Sequence, residues 1–224
     1  MGAYCPAPVA TPEVMHQVLT KVLKPAIKGM RKEKHPYIGI LYAGIILTES
    51  GPKCLEFNCR FGDPETQVLL PSLSKKCDLA EVMMVFSLLY DFIVYFQACC
   101  EGRLDCIDVK FEDKFAVTVV ASSKGYPGPY EKGKTITLPT NIPKGLFHFP
   151  SFNWYWLVGV SVFIAGAITK NNVLATSGGR VLAVTAIGDS IPDALSLAYE
   201  NMGKITFDGM FYRKDIAQRY VFFR

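Results

Sequence analysis

Residues 55–68 read LEFNCRFGDPETQV, an alternation of apolar and polar side chains that predicts a β-strand ending in a tight turn. Side chains of a strand point alternately to its two faces. The alternation therefore places Leu55 and Phe57 on one face, which we expect to pack inward. The opposite face is polar, and its residue types are those of a candidate metal-binding or catalytic site.

That polar face carries a carboxylate, an amide and a guanidinium, from Glu56, Asn58 and Arg60. Mg²⁺ takes oxygen ligands, commonly one or two protein side chains together with phosphate oxygens and water. Glu56 and Asn58 could hold such a cation between nucleotide phosphates, with Arg60 meeting the charge that develops in phosphoryl transfer. The alternative is an exposed strand face with an incidental salt bridge, and the spacing alone leaves both open.

The turn after the strand is Gly62-Asp63-Pro64-Glu65. Glycine and proline predict a tight turn, which could aim Asp63 and Glu65 back at the polar face. The alternative is an ordinary turn into a helix N-terminus, where acidic side chains suit the helix dipole.

Working outward, the elements on either side of this strand are of mixed type. The start of the chain reads as a loop, 37–48 as a central strand apolar on both faces, and 53–59 as the second strand of a hairpin. Helices are predicted over 12–33, with a kink or interruption at Pro25, from 78 onward, and from Asp189 or Ser190 to about Lys204. Further strands are predicted over 115–121, 134–138 and 180–187. This mixture predicts an α+β fold.

Composition argues against several classes of protein. The 224 residues are 50% hydrophobic and 20% charged with a net charge of +4, which suits a packed core and neither a nucleic-acid footprint nor a polybasic membrane anchor. Seven cysteines without C-x-x-C spacing argue against a disulfide framework and a zinc site. No signal peptide is visible, so we expect a reducing, cytoplasmic location.

The run RFGDPETQV resembles the signature of the phosphoribosylamine–glycine ligase (glycinamide ribonucleotide synthetase) family, which belongs to the ATP-grasp superfamily. Other segments resemble that family in the same order, namely MGAYCPAPV, YIGILYAG, SKGYPGPYEKG, SGGRVLAVTA and FYRKDIA. The resemblance implies the C-terminal part of an ATP-grasp domain over residues 1–108, followed by a small mixed β/α domain over 109–224.

The resemblance also implies an activity, the ATP-driven joining of glycine to 5-phosphoribosylamine through glycyl phosphate, in purine biosynthesis. Glu56 and Asn58 would then be ligands of Mg²⁺ or Mn²⁺ beside ATP, with Arg60 and Asp63 at the reacting carboxylate. The expected partners are these small molecules, and neither nucleic acid nor a membrane. Further purine enzymes fused in the full-length polypeptide are a further expectation.

Two glycine-containing loops fall in the second of these domains, at 125–128 and 177–180. Their backbone amides, together with Arg180, could meet phosphoribosyl groups, which makes Gly125, Tyr126, Gly179 and Arg180 candidate substrate residues. The alternative is that both loops are simple hairpin turns.

Two apolar stretches, 84–96 and 149–164, have no counterpart in the family. At 13 and 16 residues they are shorter than the roughly 20 that span a bilayer. Buried core elements are a second alternative. We favour translated intron or mis-predicted exon sequence, which we expect to be exposed.

The resemblance covers only the C-terminal half of the family's ligase, so Met1 reads as a truncation point. A second hypothesis is therefore a catalytically inactive fragment or assembly module. A third is a membrane-associated protein that uses the two apolar stretches.

Overall fold

The computed structural model describes residues 1–73, 95–107, 109–139, 159–171, 173–218 and 220, and the backbone alone at 154–157. The chain divides into two compact units. The first comprises Met1–Cys5, Asp63–Leu73 and Glu112–Arg224, and the second comprises Pro6–Gly62 and Ser74–Phe111. The division therefore differs from the expected single boundary after residue 108, because two earlier segments join the C-terminal unit.

The first unit is built on a six-stranded antiparallel sheet. Five strands lie side by side in the order β1 (Gly2–Cys5), β4 (Phe115–Ser123), β9 (Arg180–Gly188), β6 (Val160–Ile164) and β5 (Trp154–Leu157), and β10 (Met210–Phe211) pairs with β4. The predicted strands at 115–121 and 180–187 are confirmed. The loop predicted for the start of the chain is wrong at β1, where four residues are too few to show a periodicity.

One helix, α4 (Ile191–Met202), packs on this sheet. Ser190 caps it, because its Oγ accepts a hydrogen bond from the Asp193 backbone N–H at 3.2 Å. Apolar side chains recur at helical spacing on the face toward the strands and are buried there, from Ile191, Ala194, Ala198 and Met202. The helix predicted to open at Asp189 or Ser190 is confirmed, with Ser190 as its cap.

Part of the second apolar stretch lies in the core of this unit. Val160, Ser161 and Val162 in β6 are 3%, 5% and 6% exposed, and the strand pairs directly with β9. The expectation of exposure is therefore wrong for these residues, which behave as a core strand. The rest of the two apolar stretches lies mostly outside the described residues, at 84–94, 149–153 and 158, as does the start of the helix predicted from 78.

Shorter elements complete the first unit. A two-stranded ladder joins β7 (Ala167–Lys170) to β8 (Val173–Thr176). The strand predicted over 134–138 is wrong, because Thr135 and Thr137 make isolated bridges to different partners. The turn α3 (Thr66–Leu69) runs into a 3₁₀ turn, Leu70–Ser72, and α3 contacts β1, β4 and β9.

The second unit begins with a long helix that is interrupted as predicted. Its parts are α1 (Pro12–Val18), a π-helical turn (Leu19–Leu23) and α2 (Lys24–Lys32). Pro25 has no N–H and its ring crowds the carbonyl of the residue four positions earlier, which the wider π turn accommodates. Residues 95–100 are also helical, and a 3₁₀ turn covers Leu104–Cys106.

A hairpin of β2 (Tyr42–Thr48) and β3 (Gly51–Asn58) completes the second unit and confirms the predicted hairpin. The predicted burial of its apolar face is wrong, since Leu55 is 69% and Phe57 46% exposed. These two strands form a separate sheet, and α1 contacts β3. The alternation of apolar and polar residues predicts which face of a strand is apolar. Whether that face is buried depends on other elements that pack over it. Within the described ranges, no helix is long and apolar enough to cross a membrane.

Candidate active site

Two of the three residues predicted for the polar face of β3, Glu56 and Asn58, lie on one face of the strand. Glu56 pairs with Gly44 of β2, and Asn58 pairs with Tyr42. Positions 42 and 44 lie two apart on one strand, so their partners share a face. Asn58 Nδ2 donates a hydrogen bond to Glu56 Oε1 at 3.2 Å. A carboxylate and an amide are thereby held side by side at the surface of the hairpin.

Gly44 leaves room for the Glu56 side chain. A Cβ atom added at position 44 would lie 3.1 Å from Glu56 Cγ, closer than ordinary van der Waals contact. Any larger residue at this position would press on the Cγ atom of Glu56 and displace its side chain. The absence of a side chain at Gly44 therefore helps to set where Glu56 points.

A β-bulge in the hairpin adds a third polar residue to this face. The register shifts at Ile45, which pairs with Cys54, so that Leu55 is the extra residue. Lys53, the partner of Ile46, therefore lies on the same face as Glu56, although simple alternation predicts the opposite face.

Arg60 lies beyond the end of this strand. β3 ends at Asn58, and the Arg60 guanidinium donates from Nη1 to the Phe61 carbonyl oxygen at 2.8 Å. Strand alternation therefore does not set its direction, and the prediction that it shares the polar face by period two does not apply.

The donor set on β3 suits a hard divalent cation. Glu56 offers carboxylate oxygens and Asn58 an amide oxygen, which are the ligand types of Mg²⁺ and Mn²⁺. Within the described part of the chain, no group of three or more His, Cys, Asp or Glu side chains is placed to hold a metal ion. Two protein oxygens with further ligands from a nucleotide and water match the way Mg²⁺ is usually bound.

The first unit brings together the other predicted site residues around Arg180. Its Nη1 donates to the backbone oxygen of Asp63 at 2.8 Å and to Asp63 Oδ2 at 3.0 Å. Its Nε donates to the Tyr126 hydroxyl at 3.0 Å. The guanidinium is thus held between the Gly-Asp-Pro-Glu turn and the Tyr126 loop, while the side chain stays 30% exposed.

The two glycines of this cluster have steric reasons to be glycine. A Cβ atom at Gly179 would lie 2.1 Å from Tyr126 Cδ2, so the ring packs directly on the backbone before Arg180. Gly125 has φ +99°, and a Cβ there would lie 2.2 Å from the Pro129 oxygen. Both are required by the local backbone, which the hairpin-turn alternative also explains.

The charge of Arg180 is reinforced by these contacts. Burial acts to lower the pKa of Arg180, but hydrogen bonds to Tyr126 and Asp63 outweigh it and raise the pKa. The guanidinium therefore remains a fixed cation that an anionic ligand can reach.

An open cavity of about 520 Å³ lies beside the Tyr126 loop. Tyr130, which meets Tyr126 edge to face at 6.2 Å, is in its wall. Lys134 is also in the wall and is paired with Glu131 at 2.7 Å and Asp208 at 3.0 Å. The cavity thus adjoins the predicted substrate loop and has a polar rim.

Sequence reasoning missed one residue of the Arg180 cluster. Gln67 Nε2 donates to Asp63 Oδ1 at 2.8 Å, so the Asp63 carboxylate has donors on both oxygens. The sequence signal that could have found it is the spacing of four residues between Asp63 and Gln67, which brings two side chains together across a helical turn.

Two family models match the chain. The ATP-grasp (A) domain of phosphoribosylglycinamide synthetase matches residues 1–66, and the C domain of the same enzyme matches residues 116–219. Together they account for well over half of the chain.

Similar proteins agree with these models. The chain is 44% identical over 217 residues to a bifunctional purine biosynthetic protein of Schizosaccharomyces pombe, covering 97% of this chain and 24% of that protein. It is 40% identical over 220 residues to a phosphoribosylamine–glycine ligase of Caldanaerobacter subterraneus, covering 98% and 46%. The chain thus spans less than half the length of these relatives.

A solved structure gives the same result in three dimensions. The crystal structure of phosphoribosylamine–glycine ligase from Thermotoga maritima matches with a TM-score of 0.69 and 31% identity, over 96% of this chain and 46% of that one. With both family models, the relatives and this structure in agreement, the chain belongs to the phosphoribosylglycinamide synthetase family.

Proposed function

We propose that this chain supplies the metal-binding strand and part of the substrate site of a phosphoribosylamine–glycine ligase. The observation that carries the proposal is the Glu56–Asn58 pair on β3, opposite Gly44 and in a chain of this family. The reaction would join glycine to 5-phosphoribosylamine at the expense of ATP, giving glycinamide ribonucleotide.

Glu56 and Asn58 would hold Mg²⁺ or Mn²⁺. The cation would neutralise charge on the ATP phosphates during transfer. Glu56 contributes negative charge and Asn58 a neutral oxygen. The hydrogen bond from Asn58 Nδ2 to Glu56 Oε1 keeps the two groups adjacent.

The proposed chemistry has two steps. A glycine carboxylate oxygen attacks the γ-phosphorus of ATP, which forms glycyl phosphate and releases ADP. The amine nitrogen of 5-phosphoribosylamine then attacks the glycyl carbon, phosphate leaves, and the nitrogen loses a proton. Arg60 and Asp63 are proposed to lie at the reacting glycine, with the Arg60 guanidinium stabilising the charge that develops on the glycine carboxylate.

Arg180 is proposed to bind the phosphoribosyl group. Its guanidinium is cationic, partly exposed and fixed by Asp63 and Tyr126, which suits recognition of a phosphate. Backbone amides of the two loops that contain Gly125, Tyr126 and Gly179 are proposed to meet the same group. The cavity beside Tyr130 provides adjoining space.

The assignment carries two further expectations. Substrates would be small molecules in the cytoplasm. Since a relative of this chain is named a bifunctional purine biosynthetic protein, we also propose that the full-length polypeptide can include a further purine enzyme.

A second candidate is an inactive portion or assembly module of the same enzyme. The observation that favours it is the exposed apolar face of the hairpin, with Leu55 at 69% and Phe57 at 46%. Such a face suits packing against further polypeptide.

The test is phosphate release that depends on ATP, glycine and 5-phosphoribosylamine together. It should be run on this chain and on a chimera in which the preceding part of the Caldanaerobacter ligase is joined to it. Glu56→Ala is compared with Glu49→Ala, which changes an exposed glutamate in the turn of the same hairpin. We expect the chimera to lose turnover with Glu56→Ala only. Equal turnover in both variants removes Glu56 from its assigned role, and a folded chimera without turnover favours the inactive portion or assembly module.

A further inference from the structure

The Asp63 carboxylate is fixed by two donors from different parts of the first unit. Arg180 Nη1 contacts Oδ2 at 3.0 Å, and Gln67 Nε2 donates to Oδ1 at 2.8 Å. Since each oxygen has its own donor, the plane of the carboxylate is defined. Gln67 lies in α3, which contacts β9, the strand that begins with Arg180.

The oxygen of the Gln67 amide, Oε1, is in an environment that destabilises the folded state. Its Oε1 is buried and has no hydrogen-bond donor, the one buried side-chain nitrogen or oxygen in this state across the described ranges. Rotating the amide would place Oε1 against Asp63 Oδ1, and two acceptors repel. A buried acceptor without a donor destabilises the folded state, so packing alone would favour an apolar side chain here.

We propose that Gln67 is a positioning residue that fixes the Asp63 carboxylate and thereby sets the direction of the Arg180 guanidinium. The orientation in which Gln67 Nε2 donates to Asp63 is the one that leaves Oε1 without a donor. The inference rests on the proposed function only for what Arg180 binds, because the contact from Gln67 through Asp63 to Arg180 exists without ligand.

A ligand-free test uses Gln67→Met in the full chain. Methionine keeps the length of the side chain and removes both the donor and the unpaired acceptor. We expect an unfolding midpoint that is not lowered. Because an unfixed Asp63 no longer holds Nη1 in place, the Nε–H bond to the Tyr126 hydroxyl should also weaken. Exchange of the Arg180 Nε–H in ¹⁵N NMR should then be about five- to tenfold faster, the factor that loss of that hydrogen bond gives.

The matched control is Gln97→Met. Gln97 Nε2 also donates to a carboxylate four residues away, Glu101 Oε1, at 2.8 Å. This control should leave Arg180 exchange unchanged. Unchanged exchange in Gln67→Met, or a lowered midpoint without faster exchange, would overturn the proposal in favour of a purely structural role.

A second test measures binding of ribose 5-phosphate by calorimetry to four proteins, namely wild type, Gln67→Met, Arg180→Lys and the double variant. We expect Gln67→Met to weaken binding several-fold in the wild-type background and to add nothing in the Arg180→Lys background. Additive losses would overturn action through Arg180. Absence of binding to wild type would count against the phosphoribosyl role of Arg180, while the exchange measurement still decides the role of Gln67.

Discussion

Arg180 Nη1 lies 2.8 Å from the backbone oxygen of Asp63 and 3.0 Å from its Oδ2, which joins residues 117 positions apart in the sequence. The first residue of β9 is thereby attached to the turn within the family signature. The ion pair is partly exposed, with the side chains of Arg180 and Asp63 30% and 46% accessible. Such a pair contributes little to the free energy of unfolding, so its main effect is to orient the Arg180 guanidinium.

Arg180→Lys should therefore separate affinity from stability. Lysine keeps the charge but loses the planar fork that reaches Tyr126 and Asp63 together. We expect about tenfold weaker binding of ribose 5-phosphate, with a change in unfolding free energy below about 1 kcal/mol. Calorimetry and urea unfolding measure the two quantities. Unaltered affinity would exclude Arg180 from the binding site.

Gly44→Val should weaken metal binding through Glu56. A Cβ at position 44 already lies 3.1 Å from Glu56 Cγ, and the branched side chain would displace the carboxylate. We expect about tenfold weaker Mn²⁺ affinity in the presence of ATP, the size of effect seen when the neighbours of metal ligands are changed. Electron paramagnetic resonance of Mn²⁺ gives the free-ion concentration.

The matched control is Ala43→Val, which alters the preceding residue of β2; Ala43 pairs with Phe57, on the face of the hairpin opposite to Glu56. Its Mn²⁺ affinity should equal that of wild type. Equal loss in both variants would show a general effect on the hairpin and contradict the role of Gly44.

The buried threonine pair of the first sheet should show strong coupling. Thr185 Oγ1 donates to Thr118 Oγ1 at 2.8 Å, and Thr118 Oγ1 donates to the Val184 carbonyl oxygen at 3.3 Å. Thr118→Val should cost about 1–3 kcal/mol, because it leaves the Thr185 hydroxyl buried without its acceptor. The double replacement by valine should cost less than the sum, with a coupling of about 1 kcal/mol in urea unfolding. Strict additivity would contradict the hydrogen bond.

Tyr199 should make stability depend on alkaline pH. Its hydroxyl donates to the Arg213 carbonyl oxygen at 2.9 Å and accepts from the Ile216 N–H at 3.2 Å. Burial raises the pKa of Tyr199, so the folded state favours the protonated phenol. This contribution is complete below the unfolded pKa of about 10 and is lost as pH rises through the folded value.

Tyr199→Phe should therefore cost about 1 kcal/mol near pH 8, and the difference from wild type should shrink above about pH 10. Urea unfolding at the two pH values measures it. A difference that grows with pH would reverse the sign and refute the assignment.

Local patterns in the sequence predicted the local features of the site and fold. Period-two alternation placed Glu56 and Asn58 on one face, and proline with a preceding serine predicted the start of α4. The position of Lys53 was missed because the bulge at Leu55 depends on the pairing register, which a single strand does not reveal.

Features that depend on distant residues were not predictable in this way. The exposure of Leu55 and Phe57 depends on what covers the hairpin, and the Asp63–Arg180 contact depends on the fold of the first unit. The role of Gln67 was not predictable either. Gln67 donates to one oxygen of Asp63, and its role depends on Arg180, a distant residue that donates to the other oxygen.

The most direct test of the ligase proposal is the formation of glycinamide ribonucleotide from labelled glycine, ATP and 5-phosphoribosylamine. The chimera with the preceding part of the Caldanaerobacter ligase is the protein to use, with that intact ligase as the positive control. Labelled product that disappears with Glu56→Ala and persists with Glu49→Ala is the predicted result. A folded chimera that makes product equally well with Glu56→Ala, or makes none while the intact ligase does, would contradict the account.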